Sequence, residues 1–198
     1  MTLFQKFLTA LLRLQSVLSG LQSVILPHGG IFPRGGGAQD VGDHRFIFGQ
    51  GEFKGKRLYT AKADLTACEV IAVYNALIYL GRPRRFELVK REFFRRGALT
   101  LWLFGFFGGN PYTIKRVLKS FGVARETVSV DGMSRDGAYI ISFFNGRHPS
   151  LHTVFCTRTD GKWLVYNQHS NDRRPMPFDP KKLEQQFIRG YRLESVTE

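Results

Sequence analysis

Two cysteines and five histidines carry this chain's capacity for nucleophilic attack and proton transfer. Cys68 stands in LTACEVIAVYNAL, residues 65–77, where a long apolar run begins behind a threonine. Thr66 followed by Glu69 matches the T-x-x-E capping box, which makes Thr66 the N-cap and puts Cys68 at the second helical position. Unpaired amides and the helix dipole favour negative charge in that first turn, so the reactive thiolate is expected to be stabilised there. The Glu69 carboxylate beside it opposes part of that effect. Cys156, within HTVFCTRT, reads as a packed strand cysteine, and Cys68 differs from it only if a base lies near.

The second half of the chain supplies that base. LHTVFCT and KWLVYN form a hairpin turning at Asp160 and Gly161. A loop of those two residues sets His152 opposite His169, with Asn167 its diagonal neighbour on the same face. A loop that also includes Thr159 sets Gln168 opposite His152 instead. In either register an amide side chain lies close enough to fix the imidazole tautomer, the third role in Cys/His/Asn catalysis.

The elements that must hold these groups follow from periodicity. Cys68 begins a helix that is apolar almost all round and stops at Gly81, Arg82 and Pro83, so it is expected to be central and buried. Residues 138–144, AYIISFF, read as a buried strand. Residues 1–26 form an amphipathic helix through Phe4, Leu8, Leu11, Leu14, Leu18, Leu21 and Ile25, interrupted by polar residues and unlike a membrane span or a secretory signal. That face is expected to dock on the chain's own core or a partner, in preference to membrane contact, because few lysines or arginines line its polar side. A Gly/Pro-rich linker at 27–44 then leads to one domain at 45–198, large enough to bury a core without disulfides.

This order resembles the papain-like cysteine peptidases: Cys68 on a central helix, a two-helix stretch, a strand, then His152 opening a hairpin that ends at Asn167. Within that clan the chain is most similar to the bacteriocin-processing, double-glycine leader peptidases, over about residues 45–193, including GGNPYTIKRVLKSFGV, where Asn110 caps, Pro111 begins and Gly122 ends a helix. The resemblance implies an α+β fold whose cysteine-bearing helix packs on an antiparallel sheet. It makes Cys68 the nucleophile, His152 the general base and acid, and Asn167 the orienting residue of a peptidase or amidase acting on a peptide or protein substrate. Lys62 occupies the place of the family's oxyanion-binding glutamine, and Glu69 that of a glycine. The family's substrates also suggest self-cleavage after Gly30, against the simpler reading of a linker.

The net charge of +13 predicts attraction to polyanions. Much of it lies in residues 82–96, where Phe86, Phe93 and Phe94 alternate with basic residues as on an amphipathic helix. The same stretch would suit RNA binding or an RNA-cleaving toxin on this scaffold, which is the competing function class, and a catalytically idle interaction module is a third. No cofactor or metal is expected, because His28, His44, His148 and His169 are not spaced with cysteines or carboxylates as ligands. The expected location is cytoplasmic or peripheral at a membrane. GQGEFKGK, residues 49–56, reads as a turn, and the apolar run at 97–109 is too short to span a bilayer.

Overall fold

A surface that is apolar but for Glu69 and Asn75 forces the helix over Cys68–Tyr79 into the middle of the molecule: every residue from Cys68 to Leu77 is buried. The computed structural model describes residues 1–25, 45–58, 61–96, 109–145 and 151–194. The expected linker at 27–44 with Gly30, most of the apolar run at 97–109, and His28, His44 and His148 lie outside the described residues.

In chain order the elements are α1 (Leu3–Ile25), a 3-10 turn (Gln50–Phe53), β1 (Arg57–Leu58), β2 (Ala61–Lys62), α2 (Ala63–Thr66), α3 (Cys68–Tyr79), α4 (Phe86–Arg95), α5 (Ile114–Ser120), β3 (Ala124–Val128), β4 (Gly137–Phe144), β5 (Leu151–Thr159), β6 (Lys162–Tyr166), β7 (Met176–Pro177) and β8 (Phe187–Glu194). The fold is α+β. Six strands form one sheet in the order β3-β8-β4-β5-β6-β7, and every neighbouring pair in it is antiparallel.

Central strand β4 is apolar on both faces because both faces are covered. Ala138 and Ile140 join α3, α4 and α5 in one core, while Tyr139, Ile141 and Phe143 join Val154, Cys156 and Val165 in a second. The β5–β6 hairpin has the two-residue loop, with Thr159 paired to Lys162 and both Asp160 and Gly161 at positive φ, 49° and 76°. An Asp-Gly pair suits this turn because its twist matches that of the strands.

Three local expectations are corrected. The N-cap of α3 is Ala67, not Thr66, and Cys68 is its first helical residue. Residues 63–66 are already a helical turn, so the Thr66 hydroxyl donates to the Lys62 carbonyl, 2.9 Å away, and no capping box forms. In the Asn110 region, Asn110 Oδ1 accepts from Tyr112 N, capping the turn ahead of α5, whose own N-cap is Thr113.

The third correction concerns α1. It docks through Leu8, Leu12 and Ser16, while Phe4, Leu14 and Leu18 of the expected face are exposed. Leu8 and Leu12 pack with Tyr112, Phe144, Leu151 and Ile188, each burial contributing about 2 kcal/mol. Polar contacts fix the rotation: Asn110 Nδ2 donates to the Leu12 carbonyl at 2.8 Å, and the Arg116 guanidinium donates to the Ser16 carbonyl. Among the described residues no helix is long and apolar enough to cross a membrane.

Candidate active site

Cys68 is 2% exposed, and its Sγ donates to Glu69 Oε2 at 3.2 Å. The sulfur lies against β5, where the Thr153 backbone favours its charged form. Burial outweighs this and pushes the thiol well above its ordinary pKa, and the neighbouring Glu69 charge pushes it the same way. Cys68 therefore rests as a thiol. The first-turn amides do not produce the thiolate that position alone suggests, because they act on a group removed from water beside a carboxylate.

Glu69 is the best-connected group of the site and is fully buried. Its Oε2 accepts from the Gly109 amide at 3.0 Å, and its Oε1 from the Thr153 hydroxyl at 3.3 Å. Thr153 has one proton and gives it to Glu69, so Ser142 is the donor in their 2.8 Å contact. Burial raises Glu69 from 4.5 to about 7, an effect the Gly109 amide and the other donors only partly offset. A line of groups able to hold or pass a proton thus runs from the Cys68 sulfur through Glu69 to Thr153 and Ser142.

Gly109 makes this fit possible. A Cβ there would stand 3.0 Å from both Cβ and Cγ of Glu69. Gly109→Ala is expected to push the carboxylate off its donors and cost about 2 kcal/mol, as overpacking does. Urea unfolding against the parent protein checks it, and an unchanged midpoint would contradict the tight approach.

His152 sits one residue before Thr153 but belongs to the alternate series of β5. Phe155 packs in the α3 core and Thr153 bonds Glu69, whereas Val154 and Cys156 pack in the second core. The His152 ring stands edge-on to Phe143 of that second core, with centroids 5.6 Å apart. No hydrogen bond joins it to Cys68 among the described residues. Burial lowers its pKa, against smaller opposing effects of the Asn167 and Gln168 backbone, so it is neutral at pH 7.

His152 Nε2 does meet Asn167, but at the backbone carbonyl, 2.8 Å away, and not at the carboxamide. A carbonyl can only accept, so Nε2 carries the proton and Nδ1 keeps the lone pair. The tautomer is fixed by the residue expected to fix it, through its main chain. Strand β6 ends at Tyr166, and Asn167 turns away with φ 62°, so the expected pairing of His152 with His169 does not form. Asn167 is 1% exposed, and among the described residues neither polar atom of its carboxamide has a hydrogen-bond partner.

Helix α3 positions this second half of the site as well. Asn75 accepts from Ile47 N at 2.9 Å and donates to Ile47 O at 2.8 Å, clamping the segment before the 3-10 turn. The next carbonyl, of Phe48, accepts from Asn167 N at 2.9 Å. Gly49 and Gly51 let that segment lie on the loop after β6, since a Cβ on either would stand 2.5 Å from the Ser170 carbonyl.

Lys62 is exposed at the end of β2 and makes no hydrogen bond to Cys68 among the described residues. In α4, Phe86 and Phe93 are buried, Arg95 and Arg96 reach solvent while pairing with the buried Glu92, and Lys90, itself buried, pairs with Glu87. Among the described residues no cluster of three His, Cys, Asp or Glu side chains could hold a metal ion.

Sequence reading missed the roles of Glu69, Thr153, Ser142 and Gly109. One signal was present: a glutamate inside an otherwise apolar, buried helix needs partners. No protein-family model matches the chain, and no curated protein sequence matches it.

Proposed function

We propose that this protein is a thiol-dependent peptidase or amidase of papain-like fold, acting on a peptide substrate through Cys68. The observation that carries the reading is the Cys68 sulfur, in the first turn of a buried helix, donating to a buried carboxylate beside the strand that bears His152. The chain order of Cys68, His152 and Asn167, and the bond from His152 to the Asn167 main chain, support it further.

In this reading the thiol proton passes to Glu69 as sulfur attacks the acyl carbon. The carbonyl oxygen gains negative charge near the first-turn amides of α3, and Glu69 returns the proton to the departing nitrogen. Water then releases the acyl group from sulfur. The chain order offers His152 and Asn167 as the alternative base and orienting residue, but His152 belongs to the series of β5 that faces away from Glu69 and Cys68, so Glu69 is the base this geometry favours.

The test is mass-spectrometric detection of new peptide termini after incubation with a peptide pool. Products are expected from the parent and from Cys156→Ser, and none from Cys68→Ala. Equal products from Cys68→Ala would end the proposal. Comparing Glu69→Gln with His152→Ala identifies the base. The burial of Cys68 and its raised pKa favour a second reading, an interaction module in which the thiol only packs. That reading expects no products and no haloacetamide labelling of Cys68 in the folded protein.

A further inference from the structure

Helix α1 carries two apolar faces, and among the described residues only one is packed. Leu8, Leu12 and Ser16 turn inward. Leu3, Phe4, Phe7, Leu14, Val17 and Leu18 remain between 51% and 85% exposed. They recur at three-, four- and seven-residue spacings, so they form a stripe along the helix beside the docked face. Scattered exposed apolar residues need no explanation, but a continuous stripe of leucine, valine and phenylalanine does.

The charges around this helix point to what covers it. Residues 1–25 contain no aspartate or glutamate and carry Lys6 and Arg13. The stretch that holds α1, residues 109–125, also lacks carboxylates and carries Lys115, Arg116, Lys119 and Arg125. Lys6, Lys115 and Lys119 are exposed. A second copy docking by this face would bring like charges together with no carboxylate from either segment to pair them. Nucleic acid would gain nothing from the aliphatic part of the stripe. Among the described residues no helix is suited to crossing a bilayer, but a helix with an apolar stripe and cationic flanks suits lying in its surface.

We infer that α1 and its supporting segment form a docking face for an anionic lipid bilayer. The stripe enters the headgroup boundary while the exposed Lys6, Lys115 and Lys119 meet lipid phosphates. The folded domain keeps α1 helical before contact, so no coil-to-helix ordering is needed on binding.

Co-sedimentation of the full chain with vesicles tests this. The protein is expected to pellet with phosphatidylglycerol-containing vesicles, to bind pure phosphatidylcholine on the order of tenfold more weakly, and to be released by salt. Phe7→Glu with Leu18→Glu, both on the exposed face, is expected to abolish binding with an unchanged circular dichroism spectrum. Undiminished pelleting of that double variant would overturn the inference, as would failure of the parent to bind anionic vesicles. A dimer in sedimentation velocity that the double variant removes, without vesicle binding, would assign the face to a second copy and overturn it equally.

Discussion

The Glu69→Gln variant is expected to be more stable than the parent above pH 7 and to lose that advantage progressively as the pH falls toward 4.5, the pKa of a free glutamate side chain. In the unfolded chain Glu69 titrates near 4.5, and in the fold it titrates at about 7. Between these values the folded state holds a proton that the unfolded state has released, so raising the pH favours unfolding. The contribution is fully present below 4.5 and lost above about 7. The gap corresponds to about 3 kcal/mol, undiminished by solvent screening because the carboxylate is fully buried. Glutamine has the same shape and does not titrate. Its oxygen can accept from Gly109, and its NH2 can donate to Thr153, whose hydroxyl is within reach of that position. Urea unfolding of both proteins at mildly acid and mildly alkaline pH measures the difference, and parallel pH profiles would contradict the burial assigned to Glu69. Removing the charge should also lower the Cys68 pKa, since that charge is the second cause of its elevation. Haloacetamide labelling of Cys68 is therefore expected to quicken several-fold in the variant. If Glu69 is the base of a thiol hydrolase, turnover falls by about 100-fold at the same time. Faster labelling with lost turnover separates a proton carrier from a group that merely restrains the thiol.

The parts of this fold legible in the sequence are those set by short-range rules. The apolar run after Cys68 gave the buried helix, AYIISFF gave the central strand, and Asp160-Gly161 marked the hairpin turn but left two registers open, of which the fold adopts the two-residue loop. Long-range chemistry was not legible. Thr66 and Glu69 satisfy a local capping pattern, yet the partners that claim the Glu69 carboxylate besides Cys68 are Gly109 and Thr153, 40 and 84 residues away. The same limit explains α1. Its periodicity required a helix but could not choose between two apolar faces, a choice made by Asn110 and Arg116 roughly a hundred residues later. For His152 and Asn167 the register brought the right residues together but could not show that a left-handed Asn167 would present its carbonyl in place of its side chain.

Asn75→Leu is expected to destabilise the fold by about 4 kcal/mol, although leucine has the same branching at Cγ and suits the apolar surroundings of α3 better. Asn75 and Ile47 are both fully buried, and the carboxamide satisfies both the amide and the carbonyl of Ile47. Leucine would leave those two backbone groups without water or partner, each at a cost of about 1–3 kcal/mol. Against a typical domain stability of about 5–15 kcal/mol, this approaches the threshold of folding. Asn75→Asp is expected to do no better, since a carboxylate can accept from the Ile47 amide but repels its carbonyl and adds a buried charge. The effect should reach His152. Loosening the Ile47 clamp frees Phe48, whose carbonyl holds the Asn167 amide, and the Asn167 carbonyl fixes the proton on His152 Nε2. Nitrogen-15 NMR of the imidazole is expected to show one Nε2–H tautomer in the parent and a mixture in a folded Asn75 variant. A stable Asn75→Leu protein with the parent's tautomer would show that α3 holds only the cysteine half of the site, and that the 45–49 segment reaches Asn167 without it.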